Sequence, residues 1–257
     1  MDSLFDEPQR PELVIATRNA PPIPGLFVPP ARLAPELEDN IAQQCMRAYF
    51  EGRNINQVML FGRTASGSRV GEAVQGTRLG KGLPLFLILL LHSLSTILKP
   101  WLPDDLHRSL FPPRGSPSRA RQAILNLYRP GEGISSHVDL LNRFDDGIIG
   151  VSLGSGCVMT FERACASGAA GDVGQSRDGT ELERKRWDVY LPERSVLVLS
   201  KDARYTWTHG IPGRAHDLVE SEDGSEEPCL LERGTRLSIT FRWLLPGADV
   251  VGGELEP

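Results

Sequence analysis

Apolar positions along the chain follow two regimes. In the first half they recur at helical spacing. Leu37 to Phe50 reads as an amphipathic helix stopped by Gly52. Phe86, Leu89, Leu90, Ser93, Leu94, Ile97 and Leu98 repeat at three- and four-residue intervals, which predicts a second helix ending near Lys99-Pro100. Its uninterrupted apolar run, Leu85 to Leu91, is seven residues. A bilayer span needs about 20, so a buried helix is expected and no membrane contact. Residues 53–81 read as loops and short strands around Val58–Phe61.

From Gln122 onward the runs shorten to β-type segments: Ala123–Tyr128, Ile148–Leu153, Cys157–Phe161, Trp187–Leu191, Ser195–Leu199, Tyr205–His209 and Arg236–Leu245. Pro130-Gly131, Gly154-Ser155-Gly156 and Pro192-Glu193 supply turns between them. Many short strands at these intervals predict a sandwich or jelly roll. Two polar stretches interrupt the pattern, 167–184 and 213–232, the second carrying the acidic run ESEDGSEE. Both read as solvated loops. Residues 1–22, rich in Pro and charge, read as a disordered arm. The remainder, 23–257, reads as a single domain: an N-terminal extension over 23–121 and a β core over 122–245.

Composition supports the turn-rich reading. The 257 residues include 26 Gly and 20 Pro, which disfavours a helical bundle, and the length buries a core without staples. Cys45, Cys157, Cys165 and Cys229 form no CxxC pair, so a zinc knuckle is not expected. The start, MDSLFDEPQRPELV, lacks the basic and apolar stretches of a secretory leader. Free thiols in a reducing, cytoplasmic or nuclear compartment follow, rather than secretion.

Chemistry concentrates in three places. In His137-Val138-Asp139 an extended backbone puts residues i and i+2 on one side, so imidazole and carboxylate can converge on one metal ion. A third donor from a distant strand completes a 2-His-1-carboxylate set, and His209, followed by Gly210, is the best candidate. Taken alone, such a pair also occurs as a surface polar contact. Arg236 and Arg242 are six residues apart in RLSITFR and so share a strand face with Ser238 and Thr240. Two guanidinium forks suit a ligand with two carboxylates; the alternative is the solvent face of an edge strand. Asn126 and Tyr128 share a face upstream, where both can donate hydrogen bonds to an organic acid.

The order N-x-Y-x-x-G, H-x-D, H, R-x5-R resembles the AlkB family of Fe(II)- and 2-oxoglutarate-dependent dioxygenases, over Asn126 to Arg242. HVDLLNRFDDGIIGVSLGSGCVMTFER and ARYTWTHGIPGRAHD most resemble the branch that hydroxylates the modified wobble uridine of tRNA. The resemblance implies a mainly β chain with flanking α, a double-stranded β-helix (jelly-roll) core and N-terminal helices. It implies His137, Asp139 and His209 as iron ligands and Asn126, Tyr128, Arg236 and Arg242 as the groups that hold 2-oxoglutarate. Arg236 is expected at the distal carboxylate and Arg242 at the carboxylate beside the keto group. The implied reaction consumes dioxygen and 2-oxoglutarate, releases succinate and carbon dioxide, and hydroxylates a substrate C–H bond. A carbon on nitrogen then leaves as formaldehyde. The animal wobble-uridine enzymes also carry an RNA-recognition module and a methyltransferase domain, for which this chain has no length.

Charge bears on the substrate. The net charge is -5, yet Arg53 to Arg129 holds eleven Lys and Arg against three Asp and Glu, a block of +8 beside a remainder of -13. A basic block ahead of the metal motif suggests a focused polyanion site; the alternative is a solvated basic surface. In the resembled family this segment is the substrate lid, which makes Phe61, Arg63, Arg69 and Arg78 candidate substrate contacts. A base must leave its stack to reach buried iron, which favours tRNA or another single-stranded nucleic acid. A methyltransferase partner is allowed for, and a monomer is expected. The alternatives are a protein-directed oxygenase, a repair demethylase of alkylated DNA, and a jelly-roll binding module without catalysis.

Overall fold

Strands dominate from Ala120 onward and, among the described residues, sort into two large antiparallel sheets and a separate two-stranded one. The structure, a computed structural model, describes residues 14–63, 82–113, 115–163 and 186–248. In chain order the elements are β1 (Leu26–Phe27), α1 (Pro35–Cys45) continued by a π-type turn over Met46–Phe50, β2 (Gln57–Arg63), α2 (Leu85–Leu98), α3 (Asp104–Leu110), β3 (Ala120–Tyr128), β4 (Ile134–His137), β5 (Phe144–Leu153), β6 (Cys157–Arg163), β7 (Arg186–Leu191), β8 (Val196–Leu199), α4 (Lys201–Tyr205), β9 (Trp207–Ile211), β10 (His216–Val219), β11 (Cys229–Glu232) and β12 (Arg236–Leu244).

The major sheet runs β1-β8-β5-β12-β3-β2 and the minor sheet β4-β9-β6-β7. The chain passes repeatedly between the sheets: β3 to β4, β4 to β5, β5 to β6, β7 to β8, β8 to β9. That alternation makes the double-stranded β-helix, four strands to a side, with β1 and β2 added at the edges of the major sheet. The fold is thus the mainly β jelly roll with N-terminal helices that the sequence predicts.

The major sheet is covered on both faces, which explains its unbroken apolar runs. On its outer face Leu125, Ile149, Val151, Val198, Leu237, Ile239 and Phe241 meet the helices. There Leu87, Leu90, Leu94 and Leu98 of α2 are wholly buried, each worth about 1.5–3 kcal/mol of transfer free energy. On the inner face Ile148, Leu197 and Leu199 pack against Met159, Phe161, Val189, Leu191, Trp207 and Ile211 of the minor sheet. Among the described residues no helix is long and apolar enough to cross a membrane. Cys45, Cys157 and Cys229 are free thiols.

Four sequence expectations change. Residues 14–22 are not a loose arm: Ala16 is fully buried and bridges Val219, and Thr17 bridges Val189. The segment borrows its order from strands some 170 or more residues away, which local composition does not register. Tyr205 closes α4 instead of opening a strand, and β9 begins at Trp207. The stretch 213–232 is not a plain solvated loop, because β10 and β11 pair across it from His216↔Glu232 to Val219↔Cys229. Its anchor is Asp217, buried against Arg233 at 2.6 and 2.7 Å and Arg214 at 2.7 Å, and accepting from the Val158 N–H at 3.0 Å. Finally, the basic block is partly internal. Arg121 is buried, donates to the Leu110 carbonyl and lies 3.7 Å from the centre of the Trp243 ring, while Arg119 pairs with Asp145 at 2.5 Å. Both meet structural needs, which reduces the charge left for a polyanion. The 167–184 stretch, Arg69, Arg78 and Cys165 lie outside the described residues.

Candidate metal and cosubstrate site

Between the two sheets lies a cavity of about 480 Å³. Its floor is set by β12, the central strand of the major sheet, paired on both sides with β3 and β5. Central placement removes the edge-strand alternative for Arg236 and Arg242. Strand alternation sends Leu237, Ile239 and Phe241 to the helix side and Arg236, Ser238, Thr240 and Arg242 into the cavity. The register then places Arg236 opposite Tyr128 and Ser238 opposite Asn126, so all four predicted organic-acid contacts line one cavity.

The opposite wall comes from the minor sheet. His137 ends β4 and stands directly opposite His209 in β9. Gly210 permits this close approach: a Cβ there would lie 2.8 Å from the Ser136 N and Cα atoms. The two imidazoles are 4.6 Å apart, centre to centre. His137 Nδ1 is 2.8 Å from the Ser135 carbonyl. A carbonyl only accepts, so Nδ1 carries the hydrogen, which in the neutral ring leaves the Nε2 lone pair for a metal. Burial, reinforced by His137 and Arg204, pushes the His209 pKa down to about 3, which keeps that ring in the neutral, metal-binding form.

Asp139 is buried, with one oxygen 3.7 Å from His209 Nε2 and the other against Arg242 Nη1. A separation of 3.7 Å is too long for a hydrogen bond. It leaves both atoms with a free lone pair on the same side of the cavity. Among the described residues no three His, Cys, Asp or Glu side chains stand close enough together to hold a metal ion as they are, so these three donors must draw in to take one. The structure brings the three expected donors together, with the Asp139 carboxylate also held by Arg242.

Unsatisfied polar atoms also gather in this cavity. Eight buried side-chain polar atoms lack a partner among the described residues, and five belong to residues lining this cavity: Gln122 Oε1, Arg143 Nε, His209 Nδ1, Arg236 Nη1 and Arg242 Nε. Buried polar groups are normally satisfied, so their concentration here marks a site shaped for a polar ligand. Three cations, Arg143, Arg236 and Arg242, face one acid, Asp139. Arg236 is oriented by its Nε donating to Ser152 Oγ at 2.6 Å. Burial lowers the Arg242 pKa to about 10, which still leaves it charged. Burial raises the Tyr128 phenol, with Arg236 opposing, so its hydroxyl stays a donor. Asn126 Oδ1 accepts from Gln57 Nε2 at 2.7 Å.

Among the candidate substrate contacts, Phe61 lines the cavity and is half exposed, with Met59 beside it on the same strand face. Arg63 is exposed at the end of β2, outside the lining. Three groups escape sequence reasoning. Ser152 has a findable signal, since it stands opposite Ser238 in the β5–β12 register. Arg143 follows Asp139 by four residues. Arg204 is almost fully buried and donates to the carbonyls of Asp139 at 2.9 Å, Leu140 at 3.2 Å and Phe144 at 3.0 Å. It clamps the loop that presents Asp139.

Comparison with known proteins agrees with this geometry. The sequence model of the 2OG-Fe(II) oxygenase superfamily matches residues 91–242. An uncharacterized protein of Acanthamoeba polyphaga mimivirus is 39% identical over 121 residues, 47% of this chain and 47% of that protein. The tRNA (carboxymethyluridine(34)-5-O)-methyltransferase ALKBH8 of Macaca fascicularis is 36% identical over 130 residues, 47% of this chain and 17% of that protein. The Alkylated DNA repair protein ALKBH8 homolog of Arabidopsis thaliana is 34% identical over 124 residues, 47% of this chain and 33% of that protein. The chain thus spans less than half the length of each of these relatives. With the superfamily match covering more than half of its residues, the chain is similar to AlkB-type relatives and belongs to the 2OG-Fe(II) oxygenase superfamily, which implies iron(II), 2-oxoglutarate and dioxygen as cofactors.

Proposed function

We propose that this oxygenase acts on nucleic acid, hydroxylating or oxidatively demethylating a modified base, with tRNA as the preferred substrate. The observation that carries the oxygenase part of the reading is the cavity itself: two imidazoles and a carboxylate on one wall face two guanidinium groups with unpartnered nitrogens on the other. The similarity to the tRNA-modifying relative supports the substrate class.

In this reading His137 Nε2, Asp139 and His209 hold iron(II). Arg236, with Tyr128 and Asn126 beside it, takes the distal carboxylate of 2-oxoglutarate. Arg242, already against Asp139, takes the carboxylate nearer the metal. Bound iron supplies dioxygen activation coupled to oxidative decarboxylation of 2-oxoglutarate. The chain's own residues orient and exclude. Ser152 aims the Arg236 fork, Arg204 fixes the Asp139 loop, and Ile148, Met159, Leu197, Leu199 and Ile211 line the cavity with apolar surface that limits water. Segment 23–121 serves as extension and lid, with Phe61 at the rim.

The test is mass spectrometry of nucleosides from tRNA incubated with the chain, iron(II) and 2-oxoglutarate. A gain of one oxygen, or loss of a methyl group, at one modified base is expected. Unchanged tRNA alongside an oxidised protein substrate would overturn the nucleic-acid reading while leaving the dioxygenase class intact.

A further inference from the structure

Among the described residues, Arg143 is the one cation lining the cavity that the metal and 2-oxoglutarate assignments leave unused. Its Nε is buried without a partner among the described residues. Nearby carboxylates are engaged elsewhere: Asp139 with Arg242, Asp145 with Arg119, and Asp146 with Ser200 and the Lys201 N–H. Its backbone is fixed independently of the side chain, donating to the Leu140 carbonyl at 3.3 Å and accepting from the Leu245 N–H at 3.0 Å. A guanidinium with spare donors, carried on a fixed backbone and lining a cavity, can receive an oxyanion.

The surroundings specify what the oxyanion is attached to. Leu140, three residues before Arg143, is 58% exposed, and Met59 and Phe61 on β2 are 51% and 45% exposed, yet all three line this cavity. Exposed apolar side chains and one unsatisfied cation at a cavity rim suit a flat ring carrying a negative group.

We propose that Arg143 is a specificity-determining residue that binds an oxyanion of the substrate nucleotide, while Phe61, Met59 and Leu140 form the platform for its base. The proposal rests on the nucleic-acid reading above. The oxyanion is either a backbone phosphate or a carboxylate carried by the base, and the two are separable by experiment.

The full chain, loaded with 2-oxoglutarate, is titrated with a fluorescent single-stranded RNA. One form carries an unmodified uridine and the other a 5-carboxymethyl uridine at the same place. Wild type, Arg143→Ala and Arg143→Lys are compared across a salt series, with 2-oxoglutarate affinity measured in parallel. Arg143→Ala is expected to bind RNA about tenfold to a hundredfold more weakly, with partial recovery in Arg143→Lys and unchanged 2-oxoglutarate affinity. A phosphate contact lowers the salt slope by about 0.7 and weakens both RNAs alike. A base carboxylate contact weakens only the modified RNA. Equal RNA binding by wild type and Arg143→Ala overturns the assignment and leaves the nucleic-acid reading standing. RNA binding by none of the three, at low salt, overturns both.

Discussion

Arg204 gives the most searching structural prediction, because its guanidinium meets Asp139 at the main-chain carbonyl, not at a coordinating atom, and so holds the loop that presents the carboxylate. In Arg204→Met the apolar stem is kept and three donations to main-chain carbonyls are lost, two of them in fully buried surroundings. A buried acceptor left without a donor costs about 1–3 kcal/mol. Two such acceptors amount to about 2–6 kcal/mol. Removing a charge whose pKa is lowered by burial recovers part of that. A net loss of about 2–4 kcal/mol is expected, a large fraction of a domain's typical 5–15 kcal/mol. Urea unfolding followed by tryptophan fluorescence reads the change as a lower midpoint at unchanged slope. Because the loop also carries Asp139, iron(II) affinity in the folded variant should fall more than 2-oxoglutarate affinity. A midpoint shift equivalent to less than about 0.5 kcal/mol, with unaltered iron affinity, would refute the clamp.

Other expectations follow from the same contacts. Arg236→Lys keeps the charge but loses the fork that Ser152 aims, so the 2-oxoglutarate Kd measured by calorimetry should rise about tenfold or more; an unchanged Kd would remove Arg236 from the cosubstrate site. Gly210→Ala forces β4 away from β9 and should weaken iron(II) binding about tenfold while 2-oxoglutarate binding changes less, and equal losses in both would contradict the local account. Burial raises the Asp217 carboxyl, but Arg233, Arg214 and the Val158 N–H together hold it below its ordinary value. A depressed carboxylate contributes stability above its unfolded pKa near 3.9, and that contribution is lost as pH falls through the folded pKa. The stability gap between wild type and Asp217→Asn should therefore narrow in urea melts as pH falls below about 4. A gap constant from pH 7 to pH 3 would contradict this.

Much of the site was legible because strand alternation is a strict rule. Residues 236 and 242 had to share a face, as did 126 and 128, and 137 and 139 lay within one turn of extended chain. What alternation does not supply is which face is inside. That was decided by β12 lying between β3 and β5 with helices behind it. The helix over 85–98 was legible from its period alone, and its predicted end at Lys99 held. Arg204 and Arg143 were not legible, since an arginine's role depends on partners brought near by the fold; the carbonyls that receive Arg204 lie about 60 residues upstream. The β10–β11 hairpin was hidden for a related reason: its polar composition reads as solvated until Asp217 is seen buried between Arg214 and Arg233. The basic block is a weaker footprint than its count suggests, because Arg119 and Arg121 sit against Trp243.

Succinate formation from 2-oxoglutarate, measured with iron(II) and dioxygen for wild type and His137→Ala, tests the central claim most directly. The account predicts iron-dependent succinate from the wild type and none above background from the variant, with the variant's urea midpoint near that of the wild type. Undiminished succinate from His137→Ala would show that the metal is held elsewhere and would contradict the account.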